Sequence, residues 1–420
     1  MTQPLSTTDT PAALVGIDWA DQQHAVCLQH LGSGRVEASS LKQTPEAIDD
    51  WATKLRERFG GRPVAVCLEQ SKGALIYALL KYDFFILYPI NPAKLAHYRK
   101  AISQSEAKDD PTDAELLLKY LSHYREQMHA WKPDDETTRL IRTLVQQRRQ
   151  AIRLRTRFSN QLRAQLKCYF PQALELLGSD LGTAMACDFL QRWPSLVELK
   201  RAHMKTLIDF YYSHNCRRRK LIDARLEKIR HAKPLTDDTA IIEAGVMQVR
   251  MLVALLRELI RPIADCDERI EQLMDRHQDA PLFTSFPGAG AAMAPRLLAA
   301  FGTDRDAIDS AEMMQTYSGI APVTRRSGKV SIVHRRWACP KFVRQTFHEF
   351  AGHSIPFSHW AKAYYQQQRQ RGKRHHAAVR ALAFKWIRIL YRCWKTRTPY
   401  NEDAYCQALQ NKNSPLAAAL

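Results

Sequence analysis

Apolar and polar positions change period several times along the chain, and each change marks an element. Leu14-Val15-Gly16-Ile17 is a short unbroken apolar run, the pattern of a buried strand, and Asp18 stands where it ends. The polar break Asp21-Gln22-Gln23 gives way to a second strand-like run over His24–Leu28, and residues 35–42 supply a third. Thr44-Pro45-Glu46 opens a helix that reaches about Phe59, with proline at the first helical position, where its missing N–H costs nothing. Gly60-Gly61-Arg62-Pro63 stops it. Val64–Leu68 is another buried-strand run, closed by Glu69, and a helix over 72–81, a strand over 84–89 and a polar helix over 93–101 follow. The alternation predicts a mixed α/β sheet whose first strands form a meander.

Beyond residue 110 the period turns helical. Asp110 directly precedes Pro111, which makes it an N-cap with proline first in the helix; Asp113, three positions on, shares its side of the helix start. An acidic N-terminus steadied by the helix dipole is the plain alternative. Residues 137–167 read as one helix without Gly or Pro, and 247–274 as an amphipathic helix, bent at Pro262, that pairs with it as a coiled coil or helical hairpin. Residues 168–235 carry a weaker pattern, with short helices around 196–212. In 282–302, Pro287-Gly288-Ala289-Gly290 forms a tight turn poor in side chains that opens onto a helix. Amides exposed at Gly288 and Gly290 can hold a phosphate, although many such turns are structural only. Residues 360–397 form a basic helix pair interleaved with Trp360, Tyr364, Tyr365, Trp386, Tyr391 and Trp394, positions suited to base stacking or to a core.

Charge sharpens this picture. The 420 residues carry a formal charge of +19, which points to a polyanionic partner, nucleic acid first. Its distribution is uneven. Residues 1–130 hold 14 Lys/Arg and 16 Asp/Glu, net −2, whereas 325–397 hold 18 Lys/Arg and one acid, Glu349, net +17. A surface built for solubility mixes its signs, so the chain reads as an acid-bearing part joined to an anion-binding part. Helix 137–167 has nine basic residues and no acid. Arg148, Arg149, Arg153 and Arg157 within it, with the cluster Arg217-Arg218-Arg219, are expected to hold nucleic-acid phosphates. The nine cysteines are scattered singly without a CxxC pair, which fits a reducing bacterial cytoplasm and neither a zinc ribbon nor a disulfide framework. The N-terminal residues lack the pattern of a signal peptide, and no unbroken apolar run of membrane-spanning length is found, so no membrane partner is expected.

Two sets of residues carry candidate chemistry. An acid where a buried strand surfaces is costly unless paired, and a divalent cation is a usual partner; Asp18 and Glu69 both stand there, with a turn cap as the alternative for Asp18. Ser327-Gly328 is expected in a turn flanked by Arg325, Arg326, Lys329, Arg335 and Arg336. Guanidiniums neutralise charge developing on phosphate oxygens, so a serine among them is suited to attack phosphorus; a turn serine without such a role is the alternative.

The succession GIDWA, VCLE, KDDPTDA, a long basic helix, FPGAG and YSGIAP…RRSGK resembles the DEDD transposases of the insertion-sequence 110 family, relatives of the Piv DNA invertase, over most of residues 14–395. The resemblance implies an α/β RNase H-like (RuvC-type) N-terminal domain over 1–130. After it come a long helical, coiled-coil-like middle over 131–278 for RNA binding and oligomerisation, a mainly α-helical C-terminal transposase domain over 279–400, and a tail over 401–420. It implies four metal-binding catalytic acids, which by motif are Asp18, Glu69, Asp110 and Asp113, with Asp109 the register alternative for the third. Their cofactor would be Mg²⁺ or Mn²⁺. It implies a serine nucleophile, Ser327 in RRSGK, ahead of Ser318 and Ser331; Arg326 stands where many members carry a first serine. The implied partners are DNA, a structured noncoding guide RNA, and further copies of the chain in a dimer or tetramer whose active sites combine both domains. Two other readings remain: a RuvC-like nuclease or Holliday-junction resolvase using metal-activated water, and a non-catalytic nucleic-acid-binding protein.

Overall fold

The computed structural model describes residues 10–69, 73–102, 110–328, 330–412, 414 and 416, with the backbone alone at 110 and 111. The chain divides into two compact units, Met1–Pro133 and Asp134–Leu420.

The first unit is built on five strands: β1 (Ala13–Asp18), β2 (Gln23–His30), β3 (Val36–Lys42), β4 (Val64–Leu68) and β5 (Phe85–Pro89). Their order is β3-β2-β1-β4-β5. The first three form the expected antiparallel meander, and β4 and β5 then run parallel to β1. Four helices alternate with the later strands: α1 (Pro45–Arg58), α2 (Ala74–Leu79), α3 (Pro92–Ile102) and α4 (Asp110–Tyr124). Thr44 caps α1, its hydroxyl accepting from Ala47 N at 3.3 Å. Successive strand residues face opposite sides, so each face of the sheet has its own core. Val15, Ile17, Val66 and Leu68 pack with Ile48, Ala52, Leu55 and Leu79 of α1 and α2. Leu14, Ala65 and Cys67 pack with Ala114, Leu117 and Leu121 of α4. Burial on both faces is why β1 and β4 read as unbroken apolar runs.

Among the described residues the second unit is helical apart from one hairpin. Two long helices, α5 (Glu136–Tyr169) and α11 (Thr239–Arg276), lie along each other. Between them come α6 (Gln172–Leu177), α7 (Ala184–Arg192), α8 (Leu196–Lys200), α9 (Met204–Ser213) and α10 (Arg219–His231). After them come α12 (Ala280–Thr284), α13 (Ala294–Phe301), α14 (Ala311–Tyr317), the hairpin β6 (Val323–Ser327) and β7 (Val330–His334), and then α15 (Lys341–Ser354), α16 (His359–Gln370), α17 (His375–Thr396) and α18 (Glu402–Asn411). The long pair serves two cores. Leu162 and Leu166 meet Val249, Leu252 and Leu256 in a core shared with α6–α10, whereas Ile141, Val145, Ile270 and Met274 join the C-terminal helices. Helix α11 is longer than expected and continues through Pro262. It also holds a window of mean hydropathy 1.6 that by length and composition could cross a membrane, which a search for an unbroken apolar run passes over.

The tryptophans of 360–397 belong to the core rather than to a stacking surface. Trp360, Trp386 and Trp394 are fully buried. Their indole N–H groups donate to Tyr400 Oη at 2.8 Å, Ser354 Oγ at 2.8 Å and Gly302 O at 2.7 Å.

Candidate catalytic and nucleic-acid sites

The register of β1 against β4 places Ile17 opposite Leu68. Asp18 and Glu69, the next residues, therefore stand side by side at the carboxyl ends of adjoining parallel strands, the usual place for a ligand site in an α/β sheet. Strand spacing of about 4.8 Å lets two such carboxylates share one cation. Both are half-buried. Burial, and after it the charge of Glu69, pushes the Cys67 thiol up to about 12, so this buried cysteine stays protonated at neutral pH.

Gly16 brings the third acid to this end of the sheet. A Cβ at Gly16 would collide with the Ala114 carbonyl oxygen and come within 2.5 Å of Leu118 N, so α4 lies directly on the β1 backbone. Asp113, next to Ala114, is 3% exposed. Its carboxylate accepts from Arg99 Nη2 of α3, which supplies the counter-charge a buried acid requires. Asp110 opens the same helix one turn earlier; its side chain, like all of Asp109, lies outside the described residues. Among the described residues no three His, Cys, Asp or Glu side chains gather closely enough to hold a metal as they stand. The donor chemistry nevertheless fits a hard divalent cation, because the set is carboxylate oxygen throughout.

His24, which the sequence reading passed over, steadies the turn after Asp18. It is fully buried, accepts from Ala20 N at 3.1 Å through Nδ1, and meets Gln43 Oε1 at 2.5 Å through Nε2. Burial lowers its pKa, which keeps the ring neutral and able to accept.

In the second unit Ser327 ends strand β6 rather than sitting within a turn. It is exposed, pairs with Val330, and precedes Gly328, whose φ of +56° is the left-handed conformation a tight hairpin needs. Arg325 shares its face of the hairpin, and Arg326 and Ser331, paired with each other, share the opposite face. Lys329 lies outside the described residues. Ser318 is buried, with its hydroxyl donating to Gln315 O at 3.1 Å. His334 pairs with Val323 at the root of the hairpin, four residues from Ser327 and so about 13 Å along the strand. Arg335 and Arg336 follow it, half-buried.

The turn at Pro287 is partly structural. Gly288 has φ +78°, and a Cβ there would meet His353 O at 2.7 Å, so this glycine lets the turn press onto α15. Gly290 faces open space, and its carbonyl accepts from Met293 N and Ala294 N at the start of α13.

The arginines of α5 find their counter-charges elsewhere in the chain. Arg148 forms a two-pronged pair with Asp267 of α11, Arg149 donates to Glu349 at 2.6 Å, and Arg153 donates to Gln345 at 2.8 Å. Glu349 also binds Arg296 at 2.6 Å. Among the described residues Arg157, Arg217 and Arg218 are exposed with no carboxylate partner, whereas Arg219 pairs with Asp223 at 3.0 Å.

A family model described as a transposase, the DEDD transposase of the IS110 type, matches residues 15–171, and one described as the IS116/IS110/IS902 transposase family matches 280–366. The chain belongs to the IS110 family of DEDD transposases. Its relatives include the mini-circle putative transposase for IS117 of Streptomyces coelicolor, 29% identical over 96% of this chain and 99% of that protein. An uncharacterised 42 kDa protein of insertion element IS900 from Mycobacterium paratuberculosis is 25% identical over 80% of this chain and 84% of its own length. For an IS110-family transposase the substrate is DNA and the activity DNA recombination. DEDD transposases commonly use a divalent metal.

Proposed function

We propose that this transposase cuts and rejoins DNA strands by metal-assisted transfer of a phosphodiester to Ser327. The observation that carries the acidic half is the meeting of Asp18 and Glu69 at adjoining strand ends, with the Asp113 helix laid on β1 at Gly16. The strand order β3-β2-β1-β4-β5 supports an RNase H-like, RuvC-type reading of that unit. Asp18, Glu69, Asp110 and Asp113 would hold Mg²⁺ or Mn²⁺. When bound, such an ion neutralises phosphate charge and orients the reacting oxygens.

The serine half rests on the exposed end of β6. Ser327 Oγ attacks phosphorus, the bond from phosphorus to one sugar oxygen breaks, and the serine proton balances the departing alkoxide. The phosphoserine ester conserves the bond energy, and attack by a second strand's sugar hydroxyl returns the serine. Arg325, on the same face, would stabilise charge on the phosphate oxygens.

A structured guide RNA is the proposed second ligand, held by exposed cations such as Arg157, Arg217 and Arg218. Met247, Met251 and Leu255 lie exposed at four-residue spacing on α11, which supports assembly with further copies of the chain through this helix.

Denaturing electrophoresis after incubation with DNA, guide RNA and Mg²⁺ tests the reading. A protein–DNA band is expected from the native chain. Free nicked DNA without the band would mean water is the nucleophile, and binding without either product would mean the acids are not catalytic.

A further inference from the structure

Glu349 is the only acid between residues 325 and 397, and it is taken by Arg149 and Arg296. Among the described residues no carboxylate pairs with Arg335, Arg344 or Arg380. Arg344 and His348 lie one turn apart on α15, and His376 and Arg380 one turn apart on α17. His348 Nε2 meets His376 Nδ1 at 3.3 Å and ties the two rows together. Arg344 donates to Cys339 Sγ at 3.4 Å, and this sulfur meets Arg336 O at 3.9 Å in the segment that carries Arg335. Arg335 lies over the Trp337 ring with its buried Nε unpartnered.

Two further observations point to an anion. Both helices begin without a side-chain cap and without an acid in the first turn; basic residues stand there instead, against the helix dipole. Arg335, Arg344 and Arg380 are all half-buried, and burial, then the charges of Arg335 and Arg344, lowers the pKa of Arg380. Burial, then His376 and Arg380, pushes His348 down to about 4, leaving it neutral at physiological pH. Half-buried like charges cost stability, and a phosphate among them would remove that cost.

We propose that Arg335, Arg344 and Arg380 form a phosphate-binding pocket that grips a nucleic-acid phosphodiester next to the one under attack. This rests on the reading of the chain as a DNA recombinase acting through Ser327. Arg335 follows the root of the hairpin, about 13 Å along the strand from Ser327, too far to hold the reacting phosphate but suited to fixing a neighbouring one. Its role is positioning, through backbone contact that carries no sequence information.

The test is fluorescence anisotropy of the full chain with labelled duplex DNA, single-stranded DNA and single-stranded RNA, across about 50 to 200 mM salt. Arg380→Gln and Arg344→Gln are each expected to weaken binding roughly tenfold and to flatten the log–log salt slope by about one. Arg380→Lys should keep most of the slope, because it keeps the charge. Lys362→Gln, an exposed change elsewhere on the basic surface, should leave both readings near the native values. The melting temperature of Arg380→Gln should be unchanged or higher, since a repulsion is removed; a purely structural arginine would lower it. Loss with DNA probes assigns the pocket to the DNA backbone, and loss confined to RNA would overturn its place beside the phosphate under attack. Unchanged affinity and slope in both glutamine variants, or equal loss in Arg380→Lys and Arg380→Gln, would overturn the pocket. Ser327→Ala, run alongside, separates the two proposals: it should bind like the native chain whichever way the pocket falls.

Discussion

At the scale of single residues, Gly16 ties packing to chemistry. Gly16→Ala drives a methyl into the α4 backbone, which cannot yield as a flexible side chain would. A loss of about 1–3 kcal/mol is expected, read as a lower melting temperature together with weaker cleavage, since α4 carries Asp113. Asp18→Ala, Glu69→Ala and Asp113→Ala should each lower DNA cleavage about 100-fold or more, the scale of several kcal/mol of lost charge stabilisation, while RNA affinity measured by gel shift stays near native. Native cleavage rates from two of the three would remove the acids from the reaction. Asp18 and Glu69 were legible in the sequence because a charge at the end of an apolar run stands out locally. Arg99 and His24 were not: what Arg99 neutralises and what His24 holds depend on chain brought back from 14 and 19 residues away.

At the scale of elements, the long helix α5 shows what charge counting reads and what it misses. Its extent follows from an unbroken helical pattern, and the structure agrees within two residues at each end. The fate of its arginines does not follow, because the acid that answers Arg149 lies 200 residues away. Burial alone would raise the Glu349 carboxyl, but Arg296, then Arg149 and Gln345, outweigh it and hold the group below its ordinary 4.5. A depressed carboxyl contributes stability above the unfolded value, and that contribution is lost as pH falls through the folded one. Thermal melts from pH 6 down to about pH 3 should therefore show a fall in native stability that is smaller in Glu349→Gln; equal slopes would mean the pair contributes nothing. The hairpin β6–β7 was illegible for another reason. Nearly all of its positions are exposed, so no apolar face marks it as a sheet.

At the scale of the whole molecule, the segregation of charge seen in the sequence falls between an α/β unit that holds the candidate acids and a basic helical one. The division at Pro133 lies close to where the composition shifts, but the helical middle and the C-terminal helices form one unit, because α5 and α11 each enter both cores. Assembly through α11 is tested by Met247→Glu with Met251→Glu, residues 69% and 55% exposed: light scattering should report a smaller particle, and an unchanged mass would place the contact elsewhere. The proposed carriage of DNA on Ser327 is measured most directly by trapping the protein–DNA adduct, digesting protein and DNA, and locating the residual nucleotide by mass spectrometry. A nucleotide phosphate on Ser327 is expected, with no adduct from Ser327→Ala. A nucleotide on any other residue, or an adduct that persists in Ser327→Ala, would contradict it.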